Sequence, residues 1–141
     1  VAMEIREFHR RDEDAVVALW EACALTRPWN DPRADIERKL AHSPSLFLVG
    51  ESDGVVVGSV MAGYDGHRGW INYLAVHPTR QGHGLGRALM SAAEERLHAA
   101  GCPKINLQVR AENEAARAFY EAIGYEQQDL LDFGRRLVSD E

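Results

Sequence analysis

The chain has 141 residues, 45% hydrophobic and 27% charged, the length and composition of one globular domain with a single core. A formal net charge of −6 argues against a generic nucleic-acid binder, and no stretch approaches the roughly 18 apolar residues of a membrane span. Two cysteines, Cys23 and Cys102, stand in no metal or redox spacing, so reduced thiols in a cytoplasmic protein without a metal site are expected.

Met3 reads as the natural start, with Val1 and Ala2 an extension ahead of one domain over residues 3–141. Glu4 to Phe8 alternates and reads as a first strand anchored by Ile5 and Phe8. Asp12 is placed to cap a helix whose Val16, Leu19, Trp20 and Cys23 recur at helical spacing. Arg27-Pro28 breaks that helix. Asp31 caps a second one, with Pro32 at its first position and Ile36 and Leu40 on its core side. Leu46 to Val49, Val55 to Ala62 and Trp70 to Val76 read as an antiparallel meander, joined by an Asp53-Gly54 turn and a looser turn over Asp65 to Gly69. A third helix buries Leu85, Leu89, Ala92, Ala93 and Leu97 and ends at Gly101. Ile105 to Val109 follows as a strand that can run parallel to its predecessor, because a helix separates them. Asn113 caps a last helix with Ala116, Phe119, Tyr120 and Ile123 as its buried stripe. Tyr125 onward and Leu130 to Leu137 supply two final strands. The predicted order is β-α-α-β-β-β-α-β-α-β-β, an α/β (α+β) fold with a mixed, mostly antiparallel sheet and helices on both faces.

The stretch LAVHPTRQGHGLGR, Leu74 to Arg87, runs from a strand through Gly82, Gly84 and Gly86 into a helix. Such a turn presents bare N–H groups at the positive end of a helix dipole and suits phosphates. It is not a Walker loop, since Arg87 and Ala88 follow Gly86, and it misses the dinucleotide fingerprint by one position. The spacing that fits is Gln-x-x-Gly-x-Gly at Gln81, Gly84 and Gly86.

This loop resembles the acyl-CoA pyrophosphate loop of the GNAT superfamily of N-acetyltransferases. A second block, N-x-x-A-x-x-F-Y-x-x-x-G-Y at Asn113, Ala116, Phe119-Tyr120 and Gly124-Tyr125, is similar to that family's second motif and stands in register with the first. The element order resembles the family's over nearly the whole chain. More narrowly, TRPWNDP, MAGYDGHRG and GCPKI resemble a small bacterial group labelled YpeA.

The resemblance implies that the fourth and fifth strands splay, and that Leu74, Ala75 and Val76 bind the pantetheine arm of acetyl-CoA through their backbone. Gln81, Gly82, His83, Gly84, Leu85, Gly86 and Arg87 would take the pyrophosphate. Asn113 would touch the pantetheine region besides capping its helix. Tyr120, which reads equally as core at its helical spacing, would protonate the departing thiolate. The Val76 N–H would polarise the thioester carbonyl while a primary amine, on a small molecule or a peptide, attacks directly. Trp29, Tyr64, Trp70 and Tyr73 are candidate acceptor walls, each with core packing as its alternative. Related ribosomal-protein N-terminal acetyltransferases carry a glutamate where LQVR places Gln108, and an amide accepts no proton. The base is therefore open, with Tyr64, Tyr73 and His67 as substitutes. A non-catalytic acyl-CoA sensor is the alternative function. The oligomeric state stays open, with a homodimer among the options, and neither nucleic acid nor membrane is an expected partner.

Overall fold

The computed structural model describes residues 2–141, and the expected extension at Val1 lies outside them. These residues fall into two compact units. The first runs to Leu107 and includes Asp140 and Glu141; the second covers Gln108–Ser139.

Among the described residues the first unit carries one five-stranded sheet in chain order: β1 (Glu4–Glu7), β2 (Phe47–Ser52), β3 (Val55–Tyr64), β4 (Gly69–Val76) and β5 (Ile105–Leu107). The first four strands pair antiparallel and β4 with β5 parallel. Asp53 and Gly54 both take positive φ in the β2–β3 turn, as an Asp-Gly hairpin requires. Helices α1 (Glu13–Ala22), α2 (Pro32–His42) and α3 (Leu85–Ala99) complete the unit.

Side chains alternate across a strand, and adjacent residues of β3 show which helix each face receives. Ser59 accepts the indole N–H of Trp20 from α1 at 2.9 Å. Gly58 turns the other way, toward Leu89 of α3. The α1 face holds the larger apolar cluster, with Val16, Trp20, Ile36, Phe47 and Val49 fully buried. On the other face Leu89, Ala93 and Leu97 of α3 are fully buried.

Local capping follows the sequence pattern at most helix ends. Asp31 accepts from the Arg33 N–H at 2.9 Å with Pro32 at the first helical position. Gly101, at φ +91°, closes α3: its N–H bonds to the His98 carbonyl and the Cys102 N–H to that of Leu97. Asp12 departs from the expected helix cap. Its carboxylate pairs with Arg6 at 2.8 Å and accepts from the His9 N–H, so it ties β1 to the start of α1 rather than capping that helix.

The second unit holds α4 (Glu114–Ala122). The two strands expected beyond it are not formed, and residues 125–141 carry neither helix nor strand. The sequence there gives the physical reason. Leu130-Leu131-Asp132-Phe133-Gly134 does not alternate, and Leu130, Leu131, Phe133 and Leu137 remain 78–88% exposed. The expected buried stripe of α4 is half-buried rather than buried.

Gly58 measures how closely α3 lies on the sheet. A Cβ there would stand 2.8 Å from Leu89 Cδ1 and 3.2 Å from the Ala75 carbonyl oxygen. Gly58→Ala should lower unfolding stability by about 1–3 kcal/mol through overpacking. A denaturant titration checks this; an unchanged midpoint would mean that α3 is not seated this tightly.

Candidate functional site

Strand β4 changes partner along its length. The Gly69 N–H donates to the Lys104 carbonyl at 2.8 Å, and the β4–β5 ladder then runs only to the Ile71–Leu107 pair. The next five residues of β4, Asn72 to Val76, have no partner in that ladder. The resemblance implied that the two strands part beyond this point; β5 itself ends at Leu107.

A bulge lies in the same strand. Ser59 pairs with Ala75 and Met61 with Asn72, so Tyr73 and Leu74 together oppose Val60. Tyr73 holds φ at +52°, a left-handed backbone that costs a bulky residue on the order of 1–3 kcal/mol. The bulge switches the alternation of the strand. Before it, Gly69 turns its N–H to β5. After it, the His77 N–H donates to Val57 on β3 at 2.8 Å, which sets Ala75 toward β3 and turns the Leu74 and Val76 N–H groups to the opposite edge. On that edge the ladder with β5 has already ended.

Contacts from α1, β3 and the α1–α2 segment fasten the bulge. Tyr73 stacks on the Trp20 indole with ring centroids 3.7 Å apart. Its carbonyl accepts from Ser59 Oγ at 2.8 Å. Its hydroxyl donates to Asp35 Oδ2 at 2.7 Å and accepts from Asn30 Nδ2 at 3.0 Å. Arg38 holds the other oxygen of Asp35 at 3.0 Å. Burial, then the Asp35 carboxylate, pushes the Tyr73 hydroxyl well above the usual phenol range. This hydroxyl is committed to Asp35 and unsuited to act as a base. The Val76 carbonyl accepts from the Cys23 thiol at 3.2 Å and from Gln81 Nε2 at 3.0 Å.

The loop follows at once. A short 3-10 turn, Pro78–Arg80, leads into Gly82 at φ +85° and Gly84 at φ +79°. A Cβ at either glycine would meet nothing within 4 Å among the described residues, so backbone conformation, not packing, requires glycine. Gly84 is the N-cap of α3, offers no side chain to the first-turn N–H groups, and no acidic residue lies in that turn. The positive end of a 15-residue helix is thus open to an anion. Gln81, Gly82, His83, Gly84 and Arg87 are exposed, and Leu85 and Gly86 half-exposed. Arg80 leans back on Ser52 Oγ at 3.3 Å.

In the second unit Asn113 caps α4, its Oδ1 accepting from the Ala116 N–H at 3.1 Å. Burial pushes the Tyr120 hydroxyl up to about 12, and its ring meets Phe119 and Tyr125 edge-on. Gln108 lies past the end of β5 and donates to Asp132 at 2.6 Å.

The four aromatic candidates separate. Tyr73 sits at the bulge, and Trp29 is half-exposed in the turn beside Asn30. Tyr64 and Trp70 belong to the other end of the strand pair, where Tyr64 donates to the Gly66 and Gly101 carbonyls and Trp70 to Asp65. Trp70 stands about 20 Å from Val76 at about 3.3 Å per strand residue. The structure therefore does not bring these two to the bulge, and His67 lies in the same distant turn. Sequence reasoning missed Asn30, Asp35 and Lys39. Lys39 is buried on α2, and its ammonium donates to the Ala62 carbonyl and to Ser43 Oγ at 2.7 Å. Its i+3 spacing from Ile36 on the core side was the available signal.

Comparison with known proteins adds four findings. A family profile described as "Acetyltransferase (GNAT) family" matches residues 13–125. An acetyltransferase of Yersinia enterocolitica is 55% identical over 139 residues, covering 99% of each chain. Among solved structures, an Ard1 crystal structure from Thermoplasma volcanium superposes with a TM-score of 0.79 at 28% identity, over 88% of this chain and 82% of that one. The structure of AAC(6')-Iy in complex with the bisubstrate analogue CoA-S-monomethyl-acetylneamine also gives a TM-score of 0.79. At 19% identity, over 98% of this chain and all of that one, it indicates a shared fold.

Lys39 gives the first unit a pH signature. Burial pulls its ammonium down to about 8, against about 10.4 in an unfolded chain. Between those values the unfolded state binds more protons, so this group makes stability rise with pH. Unfolding titrations from pH 7 to pH 10 should show Lys39→Met losing that rising component relative to the parent. Parallel pH profiles for the two proteins would refute it.

Proposed function

The chain belongs to the GNAT acetyltransferase family, and on that premise we propose that it transfers the acetyl group of acetyl-CoA to a primary amine of a small molecule or peptide. The observation that carries the reading is the continuity of one donor surface. N–H groups of β4 beyond the last β5 pair lead into the N-terminus of α3, which carries no side-chain cap. The two parts fit the two halves of the carrier: strand-like donors suit the amides of pantetheine, and the open helix end suits the pyrophosphate.

Bound acetyl-CoA supplies an activated acyl group. The chain's own residues do the rest. Leu74 and Val76 hold the arm through their backbone, whereas Ala75, expected from the resemblance to share this role, turns its backbone to Ser59 on β3; Gln81 to Arg87 hold the charged part. The Gln81 side chain additionally secures the Val76 carbonyl, which keeps the strand end and the loop in fixed register. The Val76 N–H donates to the carbonyl oxygen as negative charge develops there. Tyr120 donates its proton to the departing sulfur as the amine nitrogen bonds to the acyl carbon and the carbon–sulfur bond breaks. A hydroxyl held near 12 keeps that proton throughout the neutral range. Asn113 contributes to the pantetheine region besides its cap.

The proton on the attacking amine leaves through water in this reading. Gln108 is an amide already donating to Asp132, and Tyr73 is committed to Asp35. Deprotonation at pH 7 costs about 1.4 kcal/mol for an amine of pKa ~8 and about 4.6 kcal/mol for one of pKa ~10.4. The site therefore favours α-amines and weakly basic amines over lysine side chains. Trp29 is the aromatic wall proposed for the acceptor.

Thiol release on mixing with acetyl-CoA and a panel of amines and N-terminal peptides tests the assignment. Tight acetyl-CoA binding without turnover across the panel would favour a sensor instead. Tyr120→Phe should lower turnover by about 10²–10⁴-fold, the range for general acids, with cofactor affinity nearly unchanged; full turnover in the variant removes the acid role. Gly84→Asp, which adds both a carboxylate and a strained φ, should abolish measurable acetyl-CoA binding in calorimetry. Retained affinity there would displace the pyrophosphate from this loop.

A further inference from the structure

Tyr73 is an unusual choice for its position. A glycine would adopt φ +52° freely, whereas a tyrosine leaves that region unless its surroundings hold it. The surroundings do hold it. The ring lies flat on Trp20, and the indole N–H of Trp20 supports the same Ser59 hydroxyl that binds the Tyr73 carbonyl. At the far tip Asp35 and Asn30 fix the hydroxyl, and Arg38 fixes Asp35.

The backbone alternation shows what this arrangement accomplishes. Without the bulge, the register set by Gly69 would continue, and residues 74 and 76 would turn their N–H groups toward β3. A one-residue slip reverses the direction of every later group. The positive φ at Tyr73 is where that slip occurs.

We propose that Tyr73 is a positioning residue and that Asp35 and Asn30 act through it: by fastening its hydroxyl they hold the β4 bulge in the conformation that turns the Val76 N–H onto the open edge. The inference rests on the acetyl-transfer reading, in which that N–H polarises the thioester carbonyl. It assigns Asp35 to the cofactor's reactivity although the residue sits on α2, outside both sequence blocks that mark the fold. Tyr73 becomes part of the support for the oxyanion donor instead of an acceptor wall.

The test uses the full chain with Tyr73→Phe, Asp35→Asn and the double variant. Tyr73→Phe keeps the ring stack and removes a single oxygen, so folding should survive; thermal melting verifies this. Two readouts need no knowledge of the acceptor. One is the carbonyl 13C shift of labelled acetyl-CoA bound to the protein, which reports polarisation directly. The other is slow thiol release by water alone, which depends on the same polarised carbonyl. Both single variants should still bind acetyl-CoA, held by the α3 loop, with affinity falling less than the hydrolysis rate. Their bound carbonyl should shift toward the value in free solution, and acceptor-independent thiol release should fall about tenfold or more, less than the roughly 10²–10³-fold of an oxyanion donor removed outright because here the donor is misaimed. The double variant should be no worse than the poorer single one, because both act through one hydroxyl.

Unchanged carbonyl shift and hydrolysis, with only the acceptor KM raised, would overturn the proposal and place Asp35 at the acceptor. A lower melting temperature with an unchanged carbonyl shift would overturn it as well. If the parent itself failed to bind acetyl-CoA, the acetyl-transfer reading would fall first, and this inference with it.

Discussion

A β-strand offers its hydrogen-bonding groups to alternate sides, and in β4 that alternation is broken at Tyr73, whose φ of +52° is held by contacts outside its own strand. Two other features of the site acquire their meaning from this break. The early end of the β4–β5 ladder would merely shorten a sheet if the following N–H groups pointed at β3. The open end of α3 would be an isolated anion site if no donor edge led into it. Because the bulge falls between Ile71, the last residue paired with β5, and Val76, the later N–H groups turn to that edge beyond the last β5 pair.

The same region links the two faces of the sheet. Trp20 and Cys23 reach the bulge and the Val76 carbonyl from the α1 side. Gln81 reaches that carbonyl from the loop that starts α3, and α3 packs its Leu89 against Gly58, the β3 residue paired with Val76. The end of β4 is therefore held from both sides, by buried Trp20 and Leu89, half-buried Cys23 and exposed Gln81. Helix α2 contributes through polar contacts: Asp35 at the bulge, and the buried Lys39 near the far end of β3.

Much of this was legible from residues and spacing. Asp31 before Pro32, Asn113 three residues ahead of Ala116, and Gly101 after α3 all cap as expected, because a cap is satisfied within one turn of its own chain. The Gln81-to-Gly86 spacing placed the loop at the start of α3, and the intervening helix implied that β5 runs parallel to β4. Local pattern was less reliable where a remote partner competes. Asp12 looked like a helix cap, yet Arg6 takes its carboxylate. Tyr64 and Trp70, expected as acceptor walls, are hydrogen-bonded at the β3–β4 turn, away from the bulge. Leu130 to Leu137 was expected as a strand, but apolar residues without alternation offer no face for a sheet to bury.

The order of elements as far as α4, most helix ends, the glycine loop and the family follow from information carried within a few residues of each feature, since dihedral preference and capping act at that range. The direction in which Leu74 and Val76 present their N–H groups does not. It depends on a bulge whose left-handed residue is a tyrosine, and no propensity marks a tyrosine for that backbone. What holds it there is a set of side chains 14, 38, 43 and 53 positions away, at Ser59, Asp35, Asn30 and Trp20, counted along the chain from Tyr73. Those contacts exist only once α1, α2 and β3 have packed around the strand, so the direction of the Val76 N–H is a property of the folded chain.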